Sequence, residues 1–469
     1  MSEREFDVVV IGAGPAGEVC AGRLGEGGLQ VAVVESHLIG GECSYYACMP
    51  SKGLLRPGEL LAEARRIPGV REAVTGDLDA EAVLRRRDEI IHNLDDSVQL
   101  PWLEKRGVTV VREPGRLDGE RRVRAGDDTL TARKAVVVAT GSSPLIPPID
   151  GLREAKPWTN RDATTAKEVP GRLAILGGGV VGVEMAQAYS SLGSKVTLIE
   201  RGDRLIAREE PFASDDVTNS LSENGVDVQL GVAVTAVRAA GGEVTLELDS
   251  GGPVRADELL VAIGRKLNSD EIGLETVGLE PGKPVEVDEA MRAPDHDWLY
   301  AIGDVNGRAL LTHMGKYQAR IAADVILGYP SGCVASNADG SRSPRVIFTD
   351  PHVAAVGYTL DAAQQAGLNV RAVDVSTQGN AGASFYGRDD TRGTTRLVVD
   401  DDRNVIVGAT FTGPEIAEFL QAATIAVVGE VPLQRLFHAV PAFPTRSEVW
   451  LYLLEALGLA GPCGGPARA

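Results

Sequence analysis

Cysteine, histidine and positive charge are all in short supply in this chain. Five cysteines in 469 residues, at 20, 43, 48, 333 and 463, are too sparse and too odd a set for the disulfide framework of a small secreted domain. Lysine and arginine number 47 against 66 aspartates and glutamates, a formal charge of −19. Such a surface repels phosphate backbones and anionic membranes, so nucleic acid is not an expected partner. No uninterrupted apolar run reaches the ~20 residues of a membrane span. The N-terminus runs from Met-Ser-Glu-Arg-Glu straight into the strand-like 6–11, with no basic stretch leading an apolar one. These absences point to a cytoplasmic protein with neither a membrane nor a nucleic-acid partner.

What is present is length and glycine. A chain of 469 residues is too long for one ordinary core and predicts several domains. Its 55 glycines cluster between apolar runs, as repeated strand-to-helix turns require. Two segments share one order of strand, glycine turn, helix and second strand ending in Glu. The first, FDVVVIGAGPAGEVCAGRLGEGGLQVAVVE, sets Gly12, Gly14 and Gly17 in a GxGxxG turn and ends at Glu35. The second, RLAILGGGVVGVEMAQAYSSLGSKVTLIE, lies 165 residues further on, with Gly177, Gly179, Gly182 and Glu200.

In such a turn the first glycine makes the bend, the second lets a pyrophosphate approach backbone N–H groups, and the third lets the helix pack on the strand. The closing carboxylate accepts from ribose hydroxyls. Two intact copies predict two dinucleotides. Glu200 would repel a 2′-phosphate and so favours NADH, although Arg201 and Arg204 leave NADPH possible.

The proline-rich SSPLIPPIDG after AVVVATG marks a crossing near residue 150. A second crossing falls near 285, and the chain changes character again at SRSPRVIFTDPHVAAVGYT. The predicted boundaries are therefore 1–150, 151–285, 286–343 and 344–469. The fold class expected is α/β, two Rossmann-like dinucleotide-binding domains followed by an α+β module.

The stretch GGECSYYACMPSK, residues 40–52, holds Cys43 and Cys48 five positions apart. In a regular helix that spacing puts the Cα atoms ~7.5 Å apart on different faces, beyond ordinary disulfide reach. The segment must distort to bridge them, and a bridge in a short strained loop is easily reduced. Two inert thiols or half a zinc site are the alternatives. Zinc needs further ligands, and only His37 is near in sequence.

These residues, with ATG at 139–141, AIGD at 301–304 and FTDPHVAAVG at 348–357, resemble over essentially the whole chain the pyridine nucleotide-disulfide oxidoreductases, the group of dihydrolipoyl dehydrogenase, glutathione reductase and mercuric reductase. The resemblance implies an FAD domain, a nicotinamide domain, a return segment and a C-terminal dimerisation domain. It also implies a homodimer with a small-molecule electron acceptor. By that likeness Gly12, Gly14, Gly17 and Glu35 hold the ADP half of FAD. Gly115, Thr140, Gly141, Ser142, Gly264, Asp304 and His313 add cofactor contacts, and Gly177, Gly179, Gly182 and Glu200 hold NAD(H), with NADP(H) possible. Lys52 resembles the lysine that stands beside the flavin and pairs with a helix glutamate, here Glu184. A cation there stabilises the negative charge gathered on reduction. The implied electron path runs from nicotinamide to flavin to the Cys43–Cys48 disulfide to the acceptor, with Cys48 facing the flavin and Cys43 meeting the acceptor.

One departure stands out. Dithiol-handling members end on an HPTxxE-like motif whose histidine, oriented by the glutamate, moves a proton. Here the stretch is FPTRSE, so Glu448 is present but Phe443 replaces the histidine. His438, Tyr45 and Tyr46 are the other proton-carrying side chains near these motifs. Three acceptors follow as alternatives: a disulfide that needs no histidine, a quinone or dye reduced directly by flavin, or a metal ion such as mercury. Mercuric reductases carry a C-terminal cysteine pair, whereas GPCGGPARA offers Cys463 alone. No resident metal is expected. A flavin sensor without turnover is the non-enzymatic alternative.

Overall fold

The structure is a computed structural model describing residues 2–330, 336–385 and 392–458. The chain forms two compact units. The first comprises residues 1–50, 85–145 and 264–340, the second 51–84, 146–263 and 341–469.

In the first unit the strands Val108–Val111, Val31–Val34, Glu3–Ile11, Asp128–Val138, Arg122–Ala125 and Gly115–Leu117 lie side by side, and Leu299–Ala301 pairs with Asp128–Val138. The central pairs are parallel, with Val8 opposite Val31 and Val9 opposite Val136. Parallel strands covered on both faces read as continuous apolar runs, and Val8, Val9 and Val10 are fully buried. Val8 and Val10 pack with Ala21 and Leu24 of helix Pro15–Glu26 and with Ala319 and Ala322 of helix Thr312–Leu327. Val9 and Ile11 meet Leu117, Val136 and Leu299 on the other face. Residues 264–285 pack in this unit, since Arg265–Leu267 pairs with Ser142–Pro144.

The second unit repeats the plan. A parallel sheet in the order Asp227–Leu230, Lys195–Glu200, Arg172–Leu176, Glu258–Val261 is joined by an antiparallel ribbon of Val234–Ala240, Glu243–Leu248 and Val254–Ala256. Helix Val180–Ser191 follows the second glycine turn. The C-terminal part is a five-stranded antiparallel sheet, Arg345–Ile347, His352–Gly357, Val405–Gly413, Thr394–Asp400 and Val370–Ser376. Helices Leu420–Val428 and Val449–Ala456 make it α+β. The fold class is the one the sequence predicts. Among the described residues no helix is long and apolar enough to cross a membrane.

Candidate functional site

The two glycine turns are built alike. Gly12 has φ +101°, and a Cβ there would sit 2.4 Å from the Ala139 carbonyl oxygen; one on Gly17 would sit 1.9 Å from that of Gly12. Any side chain at either position breaks the turn or lifts helix Pro15–Glu26 from its strand. Around Gly14, by contrast, nothing lies within 4 Å of that point, so the strand end opens there on free space beside a helix N-terminus. Gly177, Gly179 and Gly182 show the same pattern: two closed positions, at 2.6 and 1.9 Å, around an open one.

The closing carboxylates match too. Glu35 accepts from the Ala13 and His37 N–H groups, both at 2.7 Å, and Glu200 accepts from Gly178 and Gly202, both at 2.6 Å.

The cysteine segment breaks as its spacing requires. A short helix, Gly41–Tyr45, stops at Tyr46 (φ −134°, ψ −2°), and a second, Cys48–Arg66, starts on the other cysteine. The break brings the sulfur atoms within hydrogen-bonding reach. That bond, reinforced by burial, pushes the Cys43 thiol up. Cys48 Sγ lies 3.4 Å from Thr312 Oγ1. Cys20 is fully buried, which puts it out of reach of any acceptor, and burial pushes its thiol up to about 12. Tyr45 and Tyr46 pack with Ile91. Burial pushes the Tyr45 hydroxyl up to about 12, and the Tyr46 hydroxyl lies 3.0 Å from His37 Nε2.

Elsewhere in the first unit, Ser142 donates to Asp304 at 2.5 Å, and Arg265 donates to the Ser142 hydroxyl at 2.6 Å. Burial raises the Asp304 carboxyl against these contacts. Thr140 donates to the Asn268 carbonyl at 2.7 Å. Gly141 and Gly264 take positive φ, +71° and +146°. Gly115 opens a strand under Ile11 and Val34, and His313 is exposed at the start of helix Thr312–Leu327. Glu18, half-buried after the first glycine turn, is pushed up to about 7 by burial, with the Lys316 cation opposing.

In the second unit Lys52 Nζ donates to Glu184 Oε2 at 2.7 Å, and the Glu184 side chain is only 4% exposed. Glu448 is buried, and its Oε2 has no hydrogen-bond partner. Phe443 is 76% exposed, and His438 is exposed beside Phe437. Among the described residues no group of three or more His, Cys, Asp or Glu side chains is placed to hold a metal ion. Cys333 and Cys463 lie outside the described residues.

A family model described as pyridine nucleotide-disulphide oxidoreductase matches residues 6–321, and one described as the dimerisation domain of the same family matches 343–453. The chain belongs to the pyridine nucleotide-disulphide oxidoreductases. Among the members it resembles, dihydrolipoyl dehydrogenase of Chlamydia muridarum is 31% identical over 95% of both chains. Mercuric reductase of Staphylococcus aureus is 29% identical over 95% of this chain and 81% of its own. Among solved structures, LpdA from Mycobacterium tuberculosis superposes with a TM-score of 0.84 at 25% identity, covering 97% of this chain and 100% of that one. The HOCl-induced flavoprotein disulfide reductase RclA from Escherichia coli, as its Cu(II) complex, also gives 0.84, at 24% identity over 96% and 99%.

As a pyridine nucleotide-disulphide oxidoreductase the chain is an enzyme that uses FAD and NAD(P)H. Its residues fit both cofactors: each open glycine, Gly14 and Gly179, stands at a helix N-terminus where a pyrophosphate finds N–H groups and no side chain. Three features escape the sequence reading. Thr312 beside Cys48, the Glu18–Lys316 pair and Arg265 against Ser142 are each formed by residues far apart in the chain, and no local motif announces them.

Proposed function

We infer that the chain is an NAD(P)H-dependent disulfide reductase whose Cys43–Cys48 pair passes electrons to a small acceptor. The contact between the two sulfur atoms across the broken helix carries this reading. Bound nicotinamide and flavin supply an electron pair by hydride transfer. The chain's own part is to receive that pair at Cys43–Cys48, the disulfide becoming a thiol on Cys43 and a thiolate on Cys48 with uptake of one proton. The hydroxyl of Thr312 supports a thiolate on Cys48. Cys43 is then the sulfur that meets the acceptor. Lys52, fixed by Glu184, places a cation beside the flavin, and Glu200 favours NADH over NADPH.

A second reading rests on Phe443: reduction of a quinone or dye directly at the flavin, with no thiol proton to move. An anaerobic NADH titration followed by an acceptor panel of lipoamide, small disulfides, quinones and mercuric ion separates the two. Uptake of a reducing equivalent beyond the flavin's own supports the first. A flavin that NADH cannot reduce would leave only a non-catalytic role.

We also infer a homodimer. The match of residues 343–453 to the family's dimerisation domain supports this, and Ile425, Val440, Phe443 and Tyr452 within it are exposed. Sedimentation of a fully active monomer would contradict this.

The two open glycines give separable predictions. Gly14 and Gly179 both have extended backbone that valine tolerates. Gly14→Val is expected to fold but lose most of its FAD, measured as flavin per chain. Gly179→Val is expected to keep its FAD and raise the KM for NADH by about tenfold or more, since a branched side chain then occupies the pyrophosphate's approach. Equal FAD loss in both would count against separate sites.

A further inference from the structure

Helix Cys48–Arg66 carries Lys52, Glu59 and Arg66 at seven-residue intervals, close to two turns, so the three side chains leave one face. All three meet a single five-residue segment, 348–352. The Lys52 ammonium lies 4.7 Å from the centre of the Phe348 ring, His352 Nε2 lies 2.9 Å from Glu59 Oε1, and Arg66 pairs with Asp350. Helix Val180–Ser191 grips the segment by its backbone: Glu184 Oε1 accepts from the Phe348 N–H at 3.0 Å, and Gln187 Oε1 from that of Asp350 at 2.6 Å. The other oxygen of Glu184 accepts the hydrogen bond from the Lys52 ammonium. One carboxylate therefore joins the lysine to the segment, and the aromatic ring closes another side of the ammonium.

We propose that Phe348 is a positioning residue for Lys52. The face of a phenyl ring attracts a cation without neutralising it. A second carboxylate in that place would cancel the charge, and an aliphatic side chain would let the four-carbon stem of lysine swing. Phe348 fixes the ammonium at one point and leaves its positive charge available. The effect on the cofactor rests on the reading that Lys52 stands beside bound flavin.

The test is the midpoint potential of the enzyme-bound flavin, read in holoenzyme whose FAD content has been measured. Phe348→Leu is expected to make the flavin harder to reduce, by about fivefold in the equilibrium, in the same direction as Lys52→Met and by less. Phe348→Tyr, which keeps the ring, is expected to restore the wild-type value. Combined with Lys52→Met, Phe348→Leu is expected to add nothing, because the ring acts only through the ammonium. Phe348→Met, unbranched and closer to phenylalanine in length, is read in parallel in case the leucine variant loses FAD.

A wild-type potential in both Phe348→Leu and Phe348→Met, with Lys52→Met shifted, overturns the role of Phe348 and leaves that of Lys52 standing. A full additive shift in the double variant also overturns it, since the ring would then act by some other route. If Lys52→Met itself leaves the potential unchanged, the placing of Lys52 beside the flavin fails, and the proposal fails with it.

Discussion

Replacing Cys43 by serine is expected to lower turnover with any disulfide acceptor by about 10³-fold or more, while turnover with a quinone or dye stays within about twofold. Reduction of a disulfide by a dithiol needs two successive attacks. Cys43 loses its proton and opens the acceptor's S–S bond, forming a mixed disulfide and releasing one thiolate. Cys48 then attacks Cys43, closing the internal disulfide and releasing the second. Serine can do neither, because its hydroxyl is not ionised near neutral pH and forms no stable bond to sulfur. Cys20 cannot stand in, since it is fully buried and no acceptor reaches it.

An anaerobic titration checks the same claim by counting: wild type takes up one more equivalent of NADH than Cys43→Ser before the flavin is fully reduced. Direct acceptors do not pass through Cys43, and their survival shows that the nicotinamide and flavin sites are intact. Disulfide turnover that survives in Cys43→Ser would sink the assignment of Cys43 as the exchange sulfur.

The parts of this molecule legible in its sequence are those whose chemistry is local. A GxGxxG turn between a strand and a helix states its own geometry, because Gly12 and Gly17 each exclude a side chain within a few residues of themselves. The five-residue spacing of Cys43 and Cys48 requires a helix break, and one occurs at Tyr46. Glu35 and Glu200 read as ribose partners. The structure adds that both oxygens of each already hold N–H groups flanking the strand end, so each carboxylate also ties the glycine turn to that strand.

Contacts made across long stretches of chain were not legible. Thr312 meets Cys48 because helix Thr312–Leu327 returns to the first sheet, and Phe348 meets Lys52 because the first strand of the C-terminal sheet, Arg345–Ile347, ends just before it. Neither residue belongs to a pattern whose periodicity or spacing points to its partner. Nothing in the composition of residues 51–84, inside the predicted 1–150 segment, says which compact unit they join.

The substitution Phe443→His is expected to raise turnover of lipoamide or a small disulfide by about 10²–10⁴-fold, the usual contribution of a positioned acid or base. The case rests on Glu448. Its side chain is buried with Oε2 unpartnered, and a buried carboxylate oxygen without a donor is costly. The sequence supplies the position such a donor would hold, five residues upstream, but fills it with a phenyl ring that has no proton to give. An imidazole there gains the carboxylate as its orienting partner and gains the ability to protonate the leaving thiolate, in the partner's site if the dimer forms as inferred.

The acquired activity should therefore carry a pH signature that wild type lacks. The donor is the imidazolium, so turnover falls as pH rises through the imidazole range near ~6.5, displaced upward by the neighbouring carboxylate. Adding Glu448→Gln should reduce the gain and move that limb to lower pH. Flavin reduction by NADH, which needs no thiol proton, should be unchanged in both variants. Robust lipoamide turnover by wild type would show that the missing histidine is not limiting. No gain in Phe443→His, with NADH reduction intact, would show that residue 443 does not reach the exchange sulfur.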